Sequence, residues 1–76
     1  VLSRAIELSR QSIGSRTSDL KRKLRHFIEK QPDAQVDYIE FVDTFSLNPV
    51  IKVEKGSRIL LAVKIGSVRL IDNGLL

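Results

Sequence analysis

Apolar and polar positions follow two different periods along the chain. In the first part the period is helical. Leu2, Ala5, Ile6, Ser9 and Ile13 recur at helical spacing, which predicts an amphipathic helix over Val1 to about Ser12. Gly14-Ser15-Arg16-Thr17 interrupts it. Gly14 suits a C-terminal cap, since glycine tolerates a left-handed backbone. Thr17 or Ser18 is placed to accept a bond from the free N–H groups of a second helix, and Asp19 sits where the helix dipole favours negative charge. Leu20, Leu24, Phe27 and Ile28 form one stripe on that helix, predicted from about Ser18 to Lys30. Pro32 stops it, because the residue before a proline avoids the helical region. Gln31 to Gln35 reads as a short polar loop.

Beyond the loop the pattern shortens. Val36 to Val42 is rich in β-branched and aromatic residues and predicts a strand. Its apolar groups fall on both parities, Val36, Tyr38 and Val42 on one and Ile39 and Phe41 on the other, which predicts a strand that is central or covered on both sides. Asp43 to Pro49 is a turn-rich connection, with Phe45 and Leu47 expected to tuck under it. Val50 to Val53 reads as a short edge segment, which Pro49 fits. Two further apolar runs then meet at Gly66-Ser67. Glycine at the first central position predicts a hairpin with a type II′ turn. Ile65 then pairs with Val68, Val63 with Leu70 and Leu61 with Asp72. Ile59, Leu61, Val63, Ile65, Val68 and Leu70 share one face, and Leu60, Ala62 and Ile71 the other. Asp72-Asn73 is expected to end the second strand in a side-chain–backbone turn.

These elements close naturally as an α+β domain: two helices packed on a small three-stranded, mostly antiparallel sheet. At 76 residues the chain is one small domain with a marginal core. The hydrophobic share of 42% separates it from disordered chains of similar charge. No apolar run approaches the roughly 20 residues of a membrane span, and the amphipathic start has no signal-peptide centre; neither a membrane nor a leader is expected. Cysteine is absent, which removes disulfide and thiolate chemistry and fits a cytoplasmic setting. Methionine is absent too, and the chain opens inside a periodic pattern, so a part of a longer protein is expected.

The net charge of +4 invites a nucleic-acid reading. Most of the excess lies in Arg16, Lys21, Arg22, Lys23 and Arg25, which a solvated helix face explains. Phosphate contact is the sharper reading of the same block, but Phe27, Tyr38, Phe41 and Phe45 look core-directed or loop-packed and leave little to stack on bases. His26, the single histidine, stands on the basic helix without a second histidine or a cysteine to build a metal site. The carboxylates are scattered and the four glycines isolated, so neither a paired-acid site nor a phosphate loop is evident. The hairpin is the exception. It sets Lys64 directly across from Arg69, and like charges there repel. That predicts an acidic partner, Glu40 or Asp37, an anionic ligand facing Lys64 and Arg69, or a different register.

Three ordered phrases carry a resemblance. Val68-Arg69-Leu70-Ile71-Asp72-Asn73 resembles the closing segment of the pantothenate synthetases, the pantoate–β-alanine ligases. Val36-Asp37-Tyr38-Ile39-Glu40-Phe41-Val42-Asp43 resembles their VDYVEVVD strand, and Ser46-Leu47-Asn48-Pro49-Val50 their TLEPV segment. The resemblance implies the C-terminal lid domain of an enzyme that makes pantothenate from pantoate, β-alanine and ATP through a pantoyl adenylate, with magnesium. The chemistry would belong to an N-terminal Rossmann-type domain with HIGH-like and SSRN-like motifs. Neither motif occurs in this sequence, so the chain alone is expected to be inactive and to bind no cofactor tightly. Its implied partners are that N-terminal domain and the small-molecule substrates, not nucleic acid or membrane. The chain is expected to be a monomer, with a homodimeric parent left open. Ser67 departs from the basic or small residue the family often shows at the hairpin tip. The alternative reading is a small basic RNA-binding or protein-interaction module.

Overall fold

The computed structural model describes residues 2–76. Helix α1 spans Leu2–Arg10 and α2 spans Thr17–Glu29; strands β1 (Ala34–Val42), β2 (Arg58–Ile65) and β3 (Val68–Leu75) follow. The strands form one antiparallel sheet in the order β1-β2-β3, and α2 lies chiefly over β1. The predicted α+β architecture is therefore present. Val1, the predicted start of the first helix, lies outside the described residues.

The core forms where the two helical stripes meet the sheet. Leu2, Ala5 and Ile6 of α1 and Leu20, Leu24 and Ile28 of α2 are buried with Val36, Ile39 and Phe41 of β1 and Ile59, Leu61 and Val63 of β2. Val53 closes the cluster from the connection between β1 and β2. The predicted stripe overshoots at one end. Ile13 lies past the end of α1 and is exposed, because the helix gives way to turns after Arg10. Gly14 does adopt the left-handed region, at φ 93°, but within this turn, where its N–H donates to the Val53 carbonyl at 2.7 Å.

Neither hydroxyl residue caps α2. Arg16 occupies the capping position and makes no side-chain capping bond. The Thr17 hydroxyl donates instead to the carbonyls of Val50 and Ile51, at 2.9 and 3.0 Å. The segment read as a short edge strand thus pairs with the inter-helix turn: Thr17 N–H donates to Ile51, and Val53 N–H to Ser15. Only its start reaches the sheet, where Pro49 bridges Val42 and the Val50 N–H donates to the Phe41 carbonyl at 3.0 Å.

β1 is not central. It is an edge strand, and its two apolar parities have another cause. The register runs Val36↔Val63 and then Tyr38↔Ala62, so Asp37 is an extra residue in a bulge. The extra residue reverses the alternation, and Val36, Ile39 and Phe41 all turn inward.

The hairpin follows the predicted register, from Ile65↔Val68 to Leu61↔Asp72. Gly66 takes φ 61° while Ser67 stays at negative φ, as a type II′ turn requires. β3 continues past Asp72-Asn73, however. Gly74 pairs with Ile59 and lies buried beneath Ile6 of α1. A residue without a side chain is what lets the helix approach the strand there.

Candidate functional site

The sheet has one face under the helices and one turned away from them. On the outer face Tyr38, Ala62 and Ile71 stand in one row across β1, β2 and β3. The next row toward the hairpin tip holds Gln35, Lys64 and Arg69. Lys64 and Arg69 are directly opposed and exposed, as the sequence predicts. The repulsion between them is met by an acidic side chain. Arg69 Nε donates to Asp37 Oδ2 at 2.8 Å, spanning the central strand to reach β1.

The bulge makes this contact available. In a regular ladder Asp37 would occupy a slot between Val36 and Tyr38 with a partner on β2. As the extra residue it has none and is re-aimed. Glu40, the other predicted partner, is engaged elsewhere, accepting from Lys21 Nζ at 2.8 Å. Lys64 has no ion-pair partner among the described residues. The row at the tip therefore carries two cations against one carboxylate, on an open surface. Farther along the same face the Arg58 guanidinium donates to the Asn73 side-chain oxygen at 2.7 Å.

Two of the four Lys and Arg side chains of α2 pair within the helix. Arg22 lies 3.5 Å from Asp19 and Arg25 3.9 Å from Glu29, each on the same helix face. The Glu29 carboxylate also accepts the Val36 N–H at 3.0 Å, tying the helix to the first strand. His26 is exposed on this helix. Among the described residues no group of three His, Cys, Asp or Glu side chains converges, and no enclosed pocket is present.

One feature runs against the expectation from the sequence. Phe45 and Leu47 do not tuck under the connection after β1; Phe45 is 95% exposed and Leu47 60%. Asp43 organises this loop. Its Oδ1 accepts from the N–H groups of Phe45 and Ser46, both at 2.9 Å, and its carbonyl accepts the Leu47 N–H at 2.9 Å. The two backbone bonds, Ser46 first, hold the pKa of Asp43 below the ordinary aspartate value. A loop held this way displays its apolar side chains. The signal was present as an aspartate directly after a strand, the usual opening of an Asx turn.

No helix among the described residues is long and apolar enough to cross a membrane. Comparison with known proteins gives a consistent result. The family model described as pantoate–β-alanine ligase matches residues 1–75. The pantothenate synthetase of Aquifex aeolicus is 53% identical over 55 residues, which cover 71% of this chain and 19% of that protein. The pantothenate synthetase of Caldicellulosiruptor saccharolyticus is 43% identical over 76 residues, 96% of this chain and 27% of that protein. That of Citrifermentans bemidjiense is 40% identical over 78 residues, 99% of this chain and 28% of that protein. The chain thus spans about a quarter of the length of the curated relatives it matches along most of its own.

Proposed function

The chain belongs to the pantoate–β-alanine ligase family, and from that membership we propose that it serves as the C-terminal lid domain of a longer, cytoplasmic ligase. That ligase would join pantoate to β-alanine with ATP, through a pantoyl adenylate, releasing AMP. The chemistry is assigned to the remaining part of the protein. This sequence holds neither a His-x-Gly-His nor a Ser-Ser-Arg-Asn motif, so the chain alone should be inactive.

A lid acts by closure. An acyl adenylate reacts readily with water, and covering it leaves β-alanine as the nucleophile within reach. Lower water content also strengthens each charge interaction inside the site. The residues of this chain suited to a direct part are Lys64 and Arg69. The observation that carries this assignment is the exposed tip row, with two cations and one carboxylate, on an otherwise shallow face. Such a surplus suits the negative oxygens of a phosphate chain. Magnesium would supply charge neutralisation of that chain, but no cluster among the described residues fits it. Its ligands are assigned to the other domain.

The test is an amide NMR titration of the chain with magnesium-ATP at low and raised salt, repeated with Lys64→Ala. Shifts confined to residues 64–69 that persist in salt and vanish in the variant support direct contact by the lid. Scattered shifts that salt erases would remove Lys64 and Arg69 from the site and leave closure alone. Lys64 is exposed, so its replacement should change stability by no more than about 0.5 kcal/mol. A marked loss of stability would make it a structural residue.

A further inference from the structure

The two edges of the sheet are guarded unequally. Along β1 the Asp37 bulge breaks the ladder, the Glu29 carboxylate occupies the Val36 N–H, and Pro49-Val50 lie against Phe41 and Val42. These are the devices by which edge strands avoid pairing with other chains. β3 has no bulge in its pairing with β2 and no proline, and its single arginine and single aspartate cancel. Val68, Leu70, Ile71 and Leu75 on it are all exposed.

The two-residue turn determines which backbone groups face outward. Ile65 and Val68 flank it and bond to one another, so alternation directs the N–H and C=O groups of Arg69, Ile71 and Asn73 away from β2. Some of the outward groups are occupied. The Asn73 N–H donates to the Asp72 carboxylate at 2.8 Å, and the Leu75 carbonyl accepts from Arg10 at 3.1 Å. Arg69 and Ile71 remain, each with a backbone donor and an acceptor that have no partner among the described residues.

We propose that this edge pairs with the same edge of a second copy of the chain, antiparallel, about a two-fold axis at Leu70. Arg69 then lies opposite Ile71 of the second copy, and Ile71 opposite its Arg69. The register uses only the free groups: both donors and both acceptors of each copy are satisfied, and no bond already present is broken. Leu70 meets Leu70 of the second copy on the helix-side face, and the exposed Val68 and Ile71 lose water contact. A two-fold axis makes one edge its own complement, so no other sequence is required. The contact is small beside the roughly 800 Å² per partner of a stable interface. Association is therefore weak, appearing as the chain approaches millimolar concentration. It does not depend on the ligase reading.

The register makes the test specific. Ile71→Lys places a lysine opposite Arg69 of the second copy, twice per dimer, whereas Ile71→Glu places an opposite charge there. Sedimentation and amide shifts of the chain are followed from micromolar to millimolar concentration. Wild type should associate, with concentration-dependent shifts confined to residues 68–72. Ile71→Lys should weaken association by about tenfold or more, and Ile71→Glu should retain it. A wild-type chain that stays monomeric throughout overturns the proposal. So do shifts centred elsewhere, an Ile71→Lys chain that associates like wild type, or an Ile71→Glu chain that loses association as fully as Ile71→Lys.

Discussion

Gly74→Ala isolates the contact by which α1 reaches the sheet. A Cβ at this position would lie 2.7 Å from Ile6 Cγ2, 3.3 Å from its Cδ1 and 3.5 Å from its Cγ1. Two effects oppose one another. Alanine restricts the unfolded chain and suits a strand better than glycine, which contributes about 0.5–1 kcal/mol in its favour. Against this, the nearest atom is not the free end of a flexible side chain. Cγ2 is fixed to Cβ, and an isoleucine on a helix holds one χ1 rotamer almost exclusively. Relief therefore requires α1 to move, and overpacking of that kind costs about 1–3 kcal/mol. The net expectation is a loss near 1 kcal/mol, which in a domain of this size lowers Tm by about 4–8 °C. Ile6→Leu moves the branch from Cβ to Cγ and removes Cγ2 at nearly constant volume, for less than about 1.5 kcal/mol. Urea and thermal unfolding of the two single variants and the double variant form a cycle. The double variant should be more stable than the sum of the single losses predicts, by about 0.5 kcal/mol or more. A Gly74→Ala chain as stable as wild type, or strict additivity, would refute the steric argument.

Other consequences are simpler to check. Leu61 is fully buried on the central strand, so Leu61→Ala should cost about 3–5 kcal/mol, a large part of the roughly 4–11 kcal/mol expected for a domain of this length; chemical denaturation reads it directly. Asp37→Asn leaves Arg69 and Lys64 without a counter-charge, but the pair is half exposed, so a loss of about 1 kcal/mol or less is expected, shrinking further in high salt. The Asp43 loop should respond to acid. Its carboxyl is held below the ordinary range in the folded chain, so its contribution is complete above about pH 4 and is lost as pH falls through the lowered value. Protection of the Phe45 and Ser46 amides, taken against their intrinsic exchange rates at each pH, should fall over that window, and Asp43→Ala should show the reduced protection at every pH.

The hairpin was the most legible element, because a two-residue turn fixes register by counting. Once Gly66-Ser67 is placed, Lys64 must oppose Arg69. The helices followed from their stripes, although the end of α1 did not, since Ile13 continues the period into a turn where it is exposed. The apolar groups on both parities of β1, which predict a strand central or covered on both sides, have a single cause. A bulge adds one residue without any residue type to announce it, and one residue reverses every later side chain. The same bulge decided between Asp37 and Glu40 as the partner of Arg69, which strand parity could not do. Thr17 had the chemistry of a cap but found two carbonyl acceptors in a segment far along the chain. Local spacing carries no information about such a partner. Phe45 was assigned to the interior on hydrophobicity alone, whereas Asp43 holds its loop outward through backbone bonds.

The lid assignment is tested most directly by transplantation. In a full-length pantothenate synthetase, the part that aligns with this chain is replaced by the 76 residues, and AMP and pantothenate formation are measured beside a variant with that part deleted. The account predicts an active chimera and an inactive deletion, both with a folded catalytic domain. A folded chimera no more active than the deletion would contradict it.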